Sequence, residues 1–290
     1  MSTDSLARER ANLPPAKLPL GQAIKRSYSI FFSHFGDVLR ITWLWLLIVV
    51  PISGYCMWLH GQKLPAIFDA IKKGQPPMTT PSSLRDGVIQ YGPSLLMVVA
   101  GTSIAVAWHR LLVLGERPGV SGSNLVTVNS GRYLLTGLTV GLIFYLPLLL
   151  ISQLIPTAGA HPNPMVALFL LLTYVVWIFA AVIALRISLL LPARAVSDTD
   201  LTAWQAWVRT RGNTWRMIWG SIACSLVIPI AVQLMTYPLG GYPTFGNIAS
   251  EGFPTRFAIF GVISTITYIL TMPIAIGFLT IAYGHFFDKA

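Results

Sequence analysis

The chain has 290 residues, 54% of them hydrophobic and 10% charged, with mean hydropathy +0.66 and net charge +10. Soluble domains carry about 25% charged residues, so too few polar groups are present to coat a water-soluble particle, and lipid must cover much of the surface. The basic residues stand beside the ends of apolar runs instead of in dense patches, which is the membrane pattern and argues against nucleic acid as a partner.

Residues 1–18 are polar and proline-broken and read as disordered. From Leu20 to Arg40 the pattern changes: Ile24, Tyr28, Phe31 and Phe35 recur at helical spacing, with Lys25, Arg26 and Ser29 on other faces. An amphipathic helix of this kind lies in the headgroup layer, aromatic face down and cations near anionic lipid. A soluble helix docked on a protein partner is the alternative. No cleavable signal peptide is expected, because the first apolar run starts only near residue 38 and is long enough to stay as an anchor. Residues 1–38 thus form a leader with an interfacial helix, and residues 39–287 the membrane domain.

Crossing roughly 30 Å of hydrocarbon takes about 20 apolar residues in a helix. Six such runs are expected, at about 39–59, 93–113, 133–155, 165–189, 217–236 and 257–282. His109 and Arg110 near the end of the second fit if Arg110 snorkels at the boundary. Of the 20 Lys and Arg, only Lys63, Lys72, Lys73, Arg85 and Arg256 fall on one side of these runs and fifteen on the other. That asymmetry places both termini on the cytoplasmic side. Between the first two runs, Pro65 to Gly74 reads as a separate short helix. Asn163-Pro164 suits a helix start, and residues 237–256, rich in Gly, Pro and aromatics, either cap the bundle or form a plain aromatic-belt loop.

A weak internal repeat is visible. Gln22-Ala23-Ile24 followed by Val49-Val50-Pro51-Ile52 resembles Gln205-Ala206-Trp207 followed by Val227-Ile228-Pro229-Ile230, and Pro147 sits at like depth in the third run. The expected architecture is all-α: a six-helix integral membrane bundle of three helical hairpins in sequence, with interfacial amphipathic helices. Pro51, Pro147, Pro229 and Pro273 would bend their helices. Such bends either open a cavity or serve packing alone. Gly137 and Gly141 allow close helix contact, within the bundle or between protomers of a homo-oligomer.

Residues able to carry chemistry are scarce. All ten Asp and Glu lie outside or at the edges of the apolar runs, which argues against an ion-driven pump. His34, His60, His109, His161 and His285 make no metal-ligand spacing, and Cys56 and Cys224 read as small buried hydrophobes. No nucleophile elbow, zinc-protease motif or phosphate loop appears, so no enzyme activity, metal or cofactor is expected. One cluster remains. Lys25, Arg26, Arg40, Arg194, Arg209, Arg211 and Arg216, with Trp204, Trp207 and Trp215, would line the cytoplasmic surface and attract anionic lipid. Topology signals and interfacial anchoring account for the same residues.

The run Ala206-Trp-Val-Arg-Thr-Arg-Gly-Asn-Thr-Trp-Arg216, placed after Arg186-Ile-Ser-Leu-Leu-Leu-Pro192, resembles uncharacterised bacterial inner-membrane proteins similar to the membrane domain of glycerophosphoryl diester phosphodiesterases. Trp108-His109-Arg110 with Gly115-Glu116-Arg-Pro118 adds to the likeness, which covers about residues 20–287. The phosphodiesterase catalytic domain is absent from the chain. The resemblance therefore implies a six-span bundle with an accessory or lipid-related role; membrane lipids, and a homo-oligomer or membrane-complex partner, are the expected partners. A permease or channel, its cavity between the bent spans, is the rival expectation.

Overall fold

The computed structural model describes residues 17–73, 83–117, 128–154, 164–239 and 252–287. It is all-helical, without strands among those residues. In chain order the helices are α1 (Leu20–Ser33), α2 (Phe35–Lys72), α3 (Leu84–Leu114), α4 (Val128–Leu154), α5 (Pro164–Ile187), α6 (Leu190–Ala195), α7 (Ala203–Arg209), α8 (Thr214–Ser225), α9 (Val227–Thr236) and α10 (Phe253–Phe287). Six segments are long and apolar enough to cross a membrane: Phe35–Ala70, Leu84–Leu114, Asn129–Leu149, Leu171–Ala195, Thr214–Thr236 and Phe253–Phe287. This is the composition of a multi-pass membrane protein.

The helices overrun the apolar runs that predict them. α2 continues through Pro65 to Lys72, so Pro65 lies inside the first helix and does not open a separate one. The continuation is held by α10: a Cβ on Gly61 would come within 3.0 Å of Pro254 Cα. α3 begins at Leu84, ahead of Pro93, because Ser83 caps it by accepting from Asp86 N at 3.2 Å. Pro164 opens α5 as its residue type favours. Pro229 has the largest effect on the backbone. Proline cannot donate to the carbonyl four residues back, and the fifth span divides there into α8 and α9 around Leu226. Pro51, Pro147 and Pro273 sit in uninterrupted helices. Most of the glycine-rich connection before α10 and most of the amino-terminal leader lie outside the described residues, so the capping and disorder expected there do too.

The three sequential hairpins are present as α2 with α3, α4 with α5, and α8–α9 with α10. The last helix also does something that hairpin order does not require. α10 packs against α1, α2, α3, α6, α8 and α9, and lies longest against α2. Apolar side chains fall on all its faces, as in a helix that meets other helices on some sides and lipid on the rest. Glycines set these contacts: a Cβ on Gly220 would lie 2.0 Å from the Phe278 ring, and one on Gly261 would lie 1.8 Å from Met57 Sδ. The α4–α5 hairpin is peripheral, touching the rest through α3, α6, α7 and α8.

The core concentrates at one end of the bundle. Leu18, Phe31, Trp108, Leu189, Met217, Phe278 and Tyr283 meet there in one buried cluster. α1 closes that end. It buries Ala23, Ser27 and Phe31 on the bundle, and Ser27 donates to the carbonyl of Ile274 on α10. Tyr28 donates to Ala223 O at 2.9 Å, and burial, then the Cys224 thiol beside it, holds its phenol above the usual range. Its occupied face is therefore turned largely to this chain's own helices. Along the α4–α5 hairpin, large apolar side chains such as Leu138, Leu142, Leu171 and Phe179 face outward, where lipid would cover them.

Candidate functional site

α7 and the turn after it are built tightly. Thr202 accepts from Gln205 N at 3.2 Å while the Gln205 side chain accepts from Thr202 N at 2.9 Å, a reciprocal cap that fixes the start of α7. Gly212, at φ +79, turns the chain into α8, a conformation that favours glycine. Asn213 then accepts from Leu18 N at 2.8 Å, and Arg216 donates to Leu18 O at 2.6 Å, so the lead into α1 is pinned on the α7–α8 corner.

The predicted cluster divides into three groups. Lys25, Arg26, Arg40, Arg209 and Arg211 are exposed and pair with no acid among the described residues. Trp204 and Trp215 stand beside them at 72% and 69% exposure. Arg194 and Arg216 are partly buried and bonded to main-chain carbonyls. Arg194 donates to Asp198 O at 2.7 Å and to Leu201 O at 3.1 Å, closing the 196–202 loop. The Asp198 carboxylate in turn accepts from Tyr283 OH at 2.7 Å.

Trp207 belongs to a third arrangement that the sequence reading did not assign. Arg186, near the end of α5 and only 7% exposed, lays its guanidinium 3.7 Å from the centre of the Trp207 ring. Its Nε donates to Thr210 Oγ1 at 2.8 Å and its Nη2 to the carbonyl of Trp207. Thr210 donates its own proton to Ala206 O at 2.8 Å, so toward Arg186 it can only accept. The visible signal was an arginine closing an apolar run with no acid near it. The Trp-x-x-Thr spacing on the following helix completes it, since i and i+3 share a helical face.

His109 is a second buried polar centre. Its Nδ1 lies 2.7 Å from Thr280 Oγ1, and its Nε2 lies 3.5 Å from Tyr133 OH. The Thr280 hydroxyl also bonds to Ile276 O at 2.9 Å. The three side chains tie α3, α4 and α10 together. Among the described residues no group of three or more His, Cys, Asp or Glu could hold a metal.

The prolines do not share one surface. Pro273 is buried in α10, Pro147 is half-buried, Pro229 is exposed at the α8–α9 break, and Pro51 lines an open apolar groove with Tyr55, Trp58, Ile259 and Val262. The polar side chains of the spans are also dispersed. Thr139 and Thr271 bond to carbonyls of their own helices, Tyr145 and Ser225 are exposed, and Ser53 is buried. What the fold and these residues define is a helical multi-pass membrane protein with a basic, tryptophan-bearing end. Comparison with protein-family models, curated proteins and solved structures finds no match.

Proposed function

We propose that this protein is a non-enzymatic scaffold or accessory subunit of a bacterial inner membrane, engaging anionic lipid at its cytoplasmic face. The observation that carries this is the set of exposed cations at one end, Lys25, Arg26, Arg40, Arg209 and Arg211, beside exposed Trp204 and Trp215. A cation near an anionic surface contributes about 1 kcal/mol, and indoles favour headgroup depth. The side rich in Lys and Arg is the cytoplasmic one, which puts both termini there. The enclosed position of α10 and the local bonding of Thr139 and Thr271 favour a scaffold over a permease.

The test is lipid retention. The intact protein in nanodiscs of mixed phosphatidylglycerol and phosphatidylcholine should enrich the anionic lipid. Neutralising Lys25, Arg26, Arg40 and Arg209 together to Gln should remove most of that enrichment, read by native mass spectrometry. Equal lipid ratios before and after substitution overturn the reading. Labelling of cysteines at Ser53 and Ser225 by aqueous thiol reagents would favour the permease instead.

A further inference from the structure

We propose that Arg186 and Arg211, beside Trp207, form a binding site for a phosphate group, the headgroup of an anionic phospholipid. The inference rests on the lipid reading above and names the residues that would select the headgroup. Arg186 is more than nine-tenths buried. A buried charge costs several kcal/mol unless it is paired and hydrogen-bonded. Its protein partners are all neutral: a hydroxyl, a carbonyl and an indole face. Its Nη1 makes no hydrogen bond to the described residues.

Arg211 makes the arrangement more than a structural staple. It directly follows Thr210, the residue that accepts from Arg186 Nε, and neither arginine has an acid partner among the described residues. If joining α5 to α7 were all that was needed, the Arg186 bonds to Thr210 and Trp207 would suffice. Arg211, exposed and without an acid partner, adds a second cation one residue from that joint. A phosphate suits the vacancy in charge: it is planar-fork compatible, accepts at several oxygens and can bridge two guanidinium groups. Trp207 occupies a face of the Arg186 guanidinium and leaves the Nη1 edge open. Trp207 shares its short helix with exposed Trp204, and indoles favour the headgroup layer in which lipid phosphates lie.

The experiment compares wild type, Arg211→Gln, Arg186→Lys and Lys73→Gln, as full chains in detergent micelles. Each is titrated with phosphatidic acid, phosphatidylcholine or inorganic phosphate and read by native mass spectrometry, with far-UV circular dichroism as a check on folding. Wild type and Lys73→Gln should retain one phosphatidic acid in preference to phosphatidylcholine. Arg211→Gln should bind it about ten-fold more weakly, the loss expected for one charge-assisted hydrogen bond. Arg186→Lys, lacking the fork, should weaken it comparably. Should Arg186→Lys unfold, exposed Arg211→Gln alone decides. Displacement of the lipid by inorganic phosphate supports the same site with a soluble source, and persistence of the lipid supports the membrane source. Wild-type affinity in both arginine variants overturns this site while leaving the broader lipid reading standing. No preference for phosphatidic acid over phosphatidylcholine in the wild type, together with no enrichment of phosphatidylglycerol in the nanodiscs, overturns both.

Discussion

Thr210 shows what a single hydroxyl does in a membrane protein. It is fully buried, accepts from Arg186 Nε and donates to Ala206 O, so it satisfies a guanidinium and tightens its own helix end at once. Valine has nearly the same shape and neither capacity. Thr210→Val should therefore leave a buried charged donor unmet, at about 1–3 kcal/mol. Thr139→Val is the matched comparison, because Thr139 is exposed and bonds only to Leu135 O within its helix. That change should lie within about 0.5 kcal/mol of wild type. Thermal unfolding in detergent, followed by tryptophan fluorescence, reads the difference. Equal midpoints for the two variants would mean that Arg186 does not depend on Thr210.

At the scale of elements, the contacts of α10 rest on the absence of side chains at particular glycines. An added methyl at Gly220 meets the Phe278 ring, whose every position is fixed by a buried core, so the helices α8 and α10 must separate. Gly220→Ala should cost about 1–3 kcal/mol, and Phe278→Leu in the same chain should restore part of it. Gly131 has nothing within 4 Å of its Cβ position, so Gly131→Ala should be neutral or gain up to about 1 kcal/mol from helix propensity. If the two single variants melt together, the interface is looser than described. These same contacts explain what the sequence could disclose. Apolar runs of span length identify the six crossings, because hydrocarbon thickness sets their length. They do not give helix ends: α2 runs on to Lys72, past a close approach of Gly61 to Pro254, and such pairing between distant residues leaves no periodic trace. The exposed cations were legible for the opposite reason, since exposure needs no partner. Arg186 was not, because its meaning depends on Trp207 and Thr210 folding back on it from the next helices.

For the whole molecule, the order of the chain and the order of packing disagree, and that makes a prediction. α10 is the last helix, yet α1, α2, α3, α6, α8 and α9 all rest on it. Each earlier span can cross the bilayer alone, since its backbone bonds are internal. They cannot assemble around an absent centre: Trp108, Met217 and Phe31 belong to the cluster that Phe278 and Tyr283 complete. Removing residues 252–290 should leave chains that insert but extract from the membrane as heterogeneous, protease-sensitive material. Helices that associate by packing inside lipid need no covalent link between them. Residues 1–251 and 252–290, expressed together as separate pieces, should therefore co-purify and regain a cooperative melt. Size-exclusion chromatography with affinity capture on the shorter piece checks this. A sharp, monodisperse peak for residues 1–251 alone, with the full-length melting temperature, would show that α10 is an appendage and that the core forms without it.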